Sequence, residues 1–388
     1  MNIRDRIARR RRQSTPGSGV LVDPIALAPI THPDEPVGRG PIMERLLDAL
    51  DPVFDDTVPE PTSIVGPTGA GKTAIVRALF DELDDVIGRR GQPIGTTTRA
   101  KMPLDVRFAV VDGRHADSEF QAYRHLLATI TEETVPEGGV STDALHERVE
   151  DAVDDHDAVV VAVDHVDEPG TLDASVVAGL AEDVDVVPWY VTREPLDGRQ
   201  LAPGTPPSTT VAFDAYRSHT LVEIVTERAS HGLAPNALGH DNARSIARHA
   251  DGDAHDALAL LYDAARRADE DGADRIHDHH VTAAVDAFPE NSVTVGRALA
   301  QPENHQRVLG ALVELDVDAP PLPEAAAAIA ARTDLTESTV TRFLYELADA
   351  DLLARSPRDD GTSTVSPRFP PDLFAALHAP APETTTAP

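Results

Sequence analysis

The sequence predicts an α/β fold with a doubly wound parallel sheet, followed by a small all-helical domain and a C-terminal winged helix. Three observations carry this reading. Apolar runs at 63–65, 106–111, 158–163 and 186–191 alternate with helical patterns, and the last three run into Asp112, Asp164 and Thr192. A glycine-rich loop directly follows the first run, with an apolar-periodic segment behind it. From about residue 213 the strand signals stop, and within 303–378 a helix–turn–helix pattern meets an extended pair.

In chain order, residues 4–12 (RDRIARRRR) carry six arginines, and Pro, Gly and Ser follow at 14–19. Residues 1–30 therefore read as a flexible basic arm, suited to a nucleic-acid backbone or simply solvated. Residues 31–212 form the α/β domain. It opens on an amphipathic helix with Ile42, Leu46, Leu47 and Leu50, and holds further helices near 117–133 and 142–155. Segments 216–232, 239–250, 253–268 and 277–287 read as helices of a domain spanning 213–295. A proline-bearing connector leads to the unit at 303–378, with helices at 323–332 and 337–350 and an extended pair at 352–356 and 363–369. The tail 379–388 is low-complexity and reads as disordered.

The chain carries 66 acidic against 34 basic residues, a net charge of −32, and only Lys72 and Lys101 are lysines. In molar salt the Debye length falls to about 3 Å, so like charges hardly repel and surface carboxylates keep the protein hydrated. The composition predicts a salt-accumulating halophile. Because the acidity is spread over the chain, local basic clusters are the better guide to nucleic-acid partners. No cysteine is present, which excludes disulfides and thiolate metal sites. No apolar run approaches 18 residues and no signal-peptide core opens the chain, so a cytoplasmic, nucleoid-associated protein with no membrane partner is expected.

The loop Gly66-Pro67-Thr68-Gly69-Ala70-Gly71-Lys72-Thr73 fits the phosphate-binding pattern G-x-x-x-x-G-K-[ST]. Its glycines let backbone N–H groups turn toward phosphate oxygens, Lys72 reaches the terminal phosphates, and Thr73 completes a Mg²⁺ shell. Ile75, Val76, Leu79, Phe80 and Leu83 predict the following helix, whose N-terminus lies under the anion. ATP or ADP with Mg²⁺ is the expected ligand. Asp164, directly after the apolar run 158–163, is the expected second metal carboxylate. The next residue, usually a water-orienting glutamate, is His165; Asp167 and Glu168 lie just outside that register.

The ordered blocks PVGRGPIMERLLDAL, SIVGPTGAGKT, VVDGRHADSEFQAYRHLLATI, VVVAVDHVD, VAFDAYRSHTLVEIVTERA and DGDAHDALALLYDAARRA make the chain resemble the archaeal origin-recognition family of AAA+ initiators. The resemblance spans about residues 30–378 and implies an AAA+ module, a helical lid and a winged helix that binds origin DNA. It implies that Lys72 and Thr73 hold phosphate and Mg²⁺, and that Asp164 holds the metal. It also exposes three departures: the family's catalytic glutamate falls on His165, its sensor asparagine on Thr192, and its lid arginine on His255. Imidazole lacks the permanent charge of a guanidinium, so weak or absent hydrolysis is expected. The insertion between Thr192 and Phe213, basic in the family, here has only Arg193 and Arg199.

In the winged helix, 336–347 is the expected recognition helix, with Ser338, Thr339, Thr341 and Arg342 outward and Val340, Phe343, Leu344 and Leu347 inward. Arg355 and Arg358 in the hairpin are expected to reach DNA. His277, His279 and His280 find no carboxylate at a ligand spacing, so no metal is expected there. The leading expectation is an ATP-binding initiator that binds duplex origin DNA, with other initiators or the replicative helicase as further partners. A degenerate AAA+ regulator that binds proteins, or acts in transcription or plasmid maintenance, stays open beside it.

Overall fold

The computed structural model describes residues 19–88, 104–116, 118–131, 133–136, 138–168, 171, 173–197, 200–201, 206–289, 292–315, 317, 319–358 and 361–378. The arginine run at 4–12, Lys101, Arg199, Asp359, Asp360 and the tail lie outside them. Two compact units divide the chain: His32–Tyr216, and Met1–Thr31 together with Arg217–Pro388.

The helix α1 (Pro24–Leu27) belongs to the discontinuous unit. The continuous unit runs α2 (Gly40–Phe54), β1 (Thr62–Val65), α3 (Lys72–Gly88), β2 (Val106–Asp112), a 3-10 turn (Gly113–His115), α4 (Glu119–Thr131), α5 (Thr142–Asp154), β3 (Ala158–Asp164), α6 (Ala174–Asp183), β4 (Val187–Thr192) and β5 (Thr209–Ala212). Its strands pair in parallel in the order β2-β3-β4-β1-β5. All seven residues of β3 are buried, because the strand is covered on both faces. Successive side chains alternate: Val159, Val161, Val163 and Tyr190 enter one core with α4, α5 and α6, while Val160, Ala162, Trp189 and Val191 enter the other with α2 and α3. The register sets Asp112 beside Asp164 and Val65 beside Thr192, so the polar strand ends share the edge where the glycine-rich loop begins.

The discontinuous unit holds α7 (Ser218–Gly232), α8 (His240–His249), α9 (Ala254–Glu270), α10 (Asp278–Asp286), α11 (Val295–Leu299), α12 (Glu303–Val313), α13 (Leu322–Ala330), α14 (Glu337–Asp349), the antiparallel pair β6 (Leu353–Pro357) and β7 (Ser363–Pro367), and α15 (Pro371–His378). Residues 19–31 correct the expectation of an arm running to residue 30. Val20, Leu27 and Ala28 are buried, the Ala234 N–H donates to the Val20 carbonyl at 2.9 Å, and Leu27 fills the space above Gly232. Buried Arg228 fixes this strap by donating to the carbonyls of Ala28 (2.6 Å) and Thr31 (2.7 Å). Within the connector, residues 292–302 are also packed: they contain α11, bury Val295 and Ala298, and Arg297 donates to the Ala350 carbonyl at 2.6 Å. Arg266 of α9 pairs with Asp372 of α15 at 2.7 Å, joining the helical region to the winged helix. Among the described residues no helix is long and apolar enough to cross a membrane.

Candidate nucleotide-binding site

The loop at 66–73 follows β1 and turns into α3 through Gly69 (φ +64°) and Gly71 (φ +82°), conformations that L side chains rarely adopt. Lys72, at the first position of α3, is buried; its Nζ donates to the carbonyls of Gly66 (2.6 Å) and Pro67 (2.9 Å). The ammonium is thus folded back over the loop, held by neutral acceptors that a phosphate can displace. Thr73 Oγ1 donates to Asp164 Oδ2 at 2.5 Å. One hydroxyl and one carboxylate, both hard oxygen donors, suit Mg²⁺, which needs few protein ligands besides water and phosphate. Buried Lys72 and the Thr73–Asp164 pair offer the donor types that a Mg²⁺–nucleotide requires.

The neighbouring groups are tied to one another. His165 has φ +62°, and its N–H donates to Asp164 Oδ1 at 2.9 Å. Its Nδ1 meets Glu168 Oε1 at 3.2 Å and its Nε2 lies 3.5 Å from Asp164 Oδ2, so the ring is bracketed by two carboxylates. Burial alone would lower the His165 pKa, but the Asp164 charge and the hydrogen bond to Glu168 outweigh it and raise the value. Thr192 is buried, its hydroxyl donates to the Glu194 carbonyl at 2.7 Å, and its own carbonyl accepts from Gly66 N–H at 3.2 Å. Arg193 closes on Asp167 through its backbone N–H (2.9 Å) and Nε (3.1 Å). Arg114 grips Asp112, with Nη2 at 2.6 Å from Oδ2; burial alone would raise that carboxyl, yet Arg114 holds it far below the usual range. Arg114 and Arg39 were not singled out from sequence, and Glu168 was named there only as lying outside the register. Glu168 returns to His165 only because its backbone N–H closes a turn on the His165 carbonyl at 3.1 Å.

His255 lies in the other unit, at the start of α9, where its backbone N–H and that of Asp256 donate to the capping carboxylate of Asp253 at 2.7 and 3.1 Å. Burial, with the neighbouring Asp253 charge, pushes the Asp256 carboxyl up to about 7. The folded chain therefore retains a proton that the unfolded chain releases near pH 4. Asp256 costs nothing below that range, costs progressively more as pH rises from about 4 through about 7, and the cost is constant above. Asp256→Asn is expected to raise the thermal midpoint at pH 8 and to change it little at pH 4, read from melts at both values.

In the winged helix, Thr336 caps α14 by accepting the Thr339 N–H at 3.3 Å. Ser338 and Arg342 are exposed, Thr339 and Thr341 half-buried, and Val340, Phe343, Leu344 and Leu347 buried, the division the helical period demands. Arg342 pairs with Glu346 at 3.2 Å. Arg355 stacks 4.5 Å over the ring of Tyr345, which is 41% exposed and was not singled out from sequence. The Arg358 N–H donates to the Thr362 carbonyl at 2.8 Å across the hairpin turn.

The histidine cluster corrects one expectation, since a carboxylate does join it: Asp271 lies 3.1 Å from His280 Nε2 and 3.7 Å from His279 Nε2. His280 Nδ1 accepts the His277 N–H at 3.0 Å, so the ring proton belongs on Nε2 and points at Asp271. That nitrogen is a donor, and the arrangement caps a helix start.

Residues 35–192 match the model of the AAA ATPase domain, and residues 222–286 that of the Cdc6 AAA+ ATPase-type lid domain. ORC1-type DNA replication protein 5 of Halobacterium salinarum is 25% identical over 304 residues, covering 71% of this chain and 68% of that protein. ORC1-type DNA replication protein 14 of Haloarcula marismortui is 27% identical over 276 residues, covering 65% and 61%. The chain thus spans about three fifths to two thirds of the length of these relatives. Among solved structures, the Aeropyrum pernix ORC1 protein in complex with DNA superposes with a TM-score of 0.60 at 20% identity, covering 93% of this chain and 97% of that one. The Aeropyrum pernix ORC2 protein (ADPNP–ADP complexes) gives 0.55 at 16% identity, covering 92% and 97%. The fold is an AAA+ module with a lid, and the chain belongs to the archaeal Orc1/Cdc6-type AAA+ initiator family.

Proposed function

We propose that this protein is a replication-initiator-like DNA-binding protein that holds ATP or ADP as a conformational ligand and hydrolyses ATP slowly. One observation carries the reading. The loop keeps every residue of the phosphate-binding pattern and Thr73 Oγ1 lies 2.5 Å from Asp164 Oδ2, while His165, Thr192 and Arg193 are each bound to a neighbouring protein group. Lys72 Nζ, now on the Gly66 and Pro67 carbonyls, would turn to phosphate oxygens, and the N–H groups of the loop and of the α3 start would orient the same anion. Thr73 and Asp164 would hold Mg²⁺, which supplies charge neutralisation of the phosphates when bound. His165, anchored between Asp164 and Glu168, lacks a free carboxylate with which to orient an attacking water. Duplex DNA as partner is supported by the outward Ser338 and Arg342, by Arg355 on the adjoining strand, and by the relatives named for DNA replication.

A second reading, a regulator that binds protein partners, draws on the internal pairing of winged-helix arginines: Arg342 with Glu346, Arg307 with Asp334, and Arg368 with Asp351. Fluorescence anisotropy in molar KCl separates the two. Origin-derived duplex is expected to bind more tightly than random duplex, and Arg342→Ala or Arg355→Ala to weaken it by about tenfold each. Equal affinity for both duplexes would remove origin recognition. No DNA binding, with co-purifying initiators, would favour the second reading.

A further inference from the structure

Buried Arg39 has no part in the chemistry described above, yet it joins the phosphate loop to residues 213–216, through which the chain leaves the continuous unit. Its Nε and Nη2 donate to the Ala70 carbonyl inside the loop at 3.0 and 2.7 Å, and Nη2 also donates to the Asp214 carbonyl at 2.7 Å. Its guanidinium lies 3.8 Å from the centre of the Tyr216 ring. The two segments also touch at both ends of the loop. The Phe213 N–H donates to the Val65 carbonyl at 2.7 Å, and a Cβ on Gly66 would lie 2.4 Å from the Phe213 oxygen. A Cβ on Gly71 would lie 2.3 Å from the Tyr216 hydroxyl. There is no slack in this packing.

We propose that Arg39 is a positioning residue that links phosphate occupancy of the loop to order in residues 213–216. Peptide units are rigid planes, so an N–H that turns toward a phosphate carries the preceding carbonyl with it. The Ala70 carbonyl shares its plane with the Gly71 N–H, within the stretch that cradles an anion. Reorientation of that plane changes the acceptor presented to Arg39, and the same guanidinium holds Asp214 and covers Tyr216. A planar fork can bond two carbonyls and stack on an aromatic face at once, which a lysine ammonium cannot. The inference rests on the nucleotide-binding reading and adds how binding is registered.

Hydrogen exchange of the full chain in molar KCl, with and without saturating ADP, tests it. In the wild type, ADP is expected to slow exchange at residues 213–216 by about tenfold or more. Arg39→Ala, brought to saturation, is expected to protect the loop and leave 213–216 exchanging as in the ADP-free protein. Arg39→Lys is expected to restore less than half of the slowing. Arg45→Ala is the control, because Arg45 donates to Thr210 and Ala212 at 3.3 Å and does not touch the loop. Wild-type slowing at 213–216 in saturated Arg39→Ala would overturn the proposal. So would a wild type that binds ADP without slowing there. A wild type that does not bind ADP would instead remove the underlying nucleotide reading. Should Arg39→Ala not fold, Tyr216→Leu removes the stacking plate, and Tyr216→Phe removes only the hydroxyl that faces Gly71; the leucine variant must reduce the slowing more than the phenylalanine variant does, and if it leaves the slowing intact or the two act alike, the coupling through Arg39 is refuted.

Discussion

Lys72→Ala is expected to weaken binding of both ATP and ADP by about 100-fold or more, the largest loss predicted for any side chain of the loop. The ammonium is buried and already desolvated, so its attraction for phosphate is not screened as a surface charge would be. The same truncation removes the bonds that Nζ makes to the Gly66 and Pro67 carbonyls, so the empty loop loses its internal brace as well. Two readouts separate these consequences. Isothermal titration reports the affinity, and the thermal midpoint without nucleotide reports the brace. At a nucleotide concentration about 100 times the wild-type Kd, most of the stabilisation should be lost in the variant, because that stabilisation is set by the ratio of ligand concentration to Kd.

Gly71→Ala is expected to destabilise the continuous unit by roughly 2–3 kcal/mol and to abolish measurable nucleotide binding. Two penalties add here. The backbone at φ +82° disfavours any Cβ, and that Cβ would sit 2.3 Å from the Tyr216 hydroxyl. A phenol at the end of a free side chain could swing aside. Tyr216 is buried beneath Arg39, so it cannot do so cheaply. Adding Tyr216→Leu should therefore relieve the clash and leave the backbone strain, a coupling of about 1 kcal/mol in a double-mutant cycle followed by thermal melts. Gly66→Ala provides the contrast, since its Cβ meets the Phe213 backbone carbonyl at 2.4 Å and no side-chain truncation can relieve that.

The parts of this molecule legible in the sequence are those set by local pattern. The all-buried run of β3 ends on Asp164 as its apolar residues predict, and the winged-helix core residues Val340, Phe343, Leu344 and Leu347 follow a helical period. β5 was not legible, because an edge strand with only Val211 buried leaves no alternation to read. Nor was the docking of residues 19–31, which depends on Gly232 being small enough to admit Leu27 and on an arginine 197 positions beyond Thr31. At the site, the loop and its aspartate could be found from spacing. Glu168, Arg114 and Arg39 could not, since each acquires its role from a neighbour that only the fold brings near. The sequence marked His165 as a departure from a glutamate; the bracket of Asp164 and Glu168 around its ring shows why it is not a simple replacement.

The central claim is that nucleotide is retained and hardly turned over. It is tested most directly by measuring ATP binding and steady-state phosphate release on the same preparation in molar KCl with Mg²⁺. Saturable binding that Lys72→Ala weakens by about 100-fold or more, together with turnover slower than about 0.01 s⁻¹, is the predicted result. Phosphate release at about 1 s⁻¹ or faster that disappears in Lys72→Ala would contradict it, and would mean that His165, Thr192 and their bound neighbours open into a working hydrolytic site.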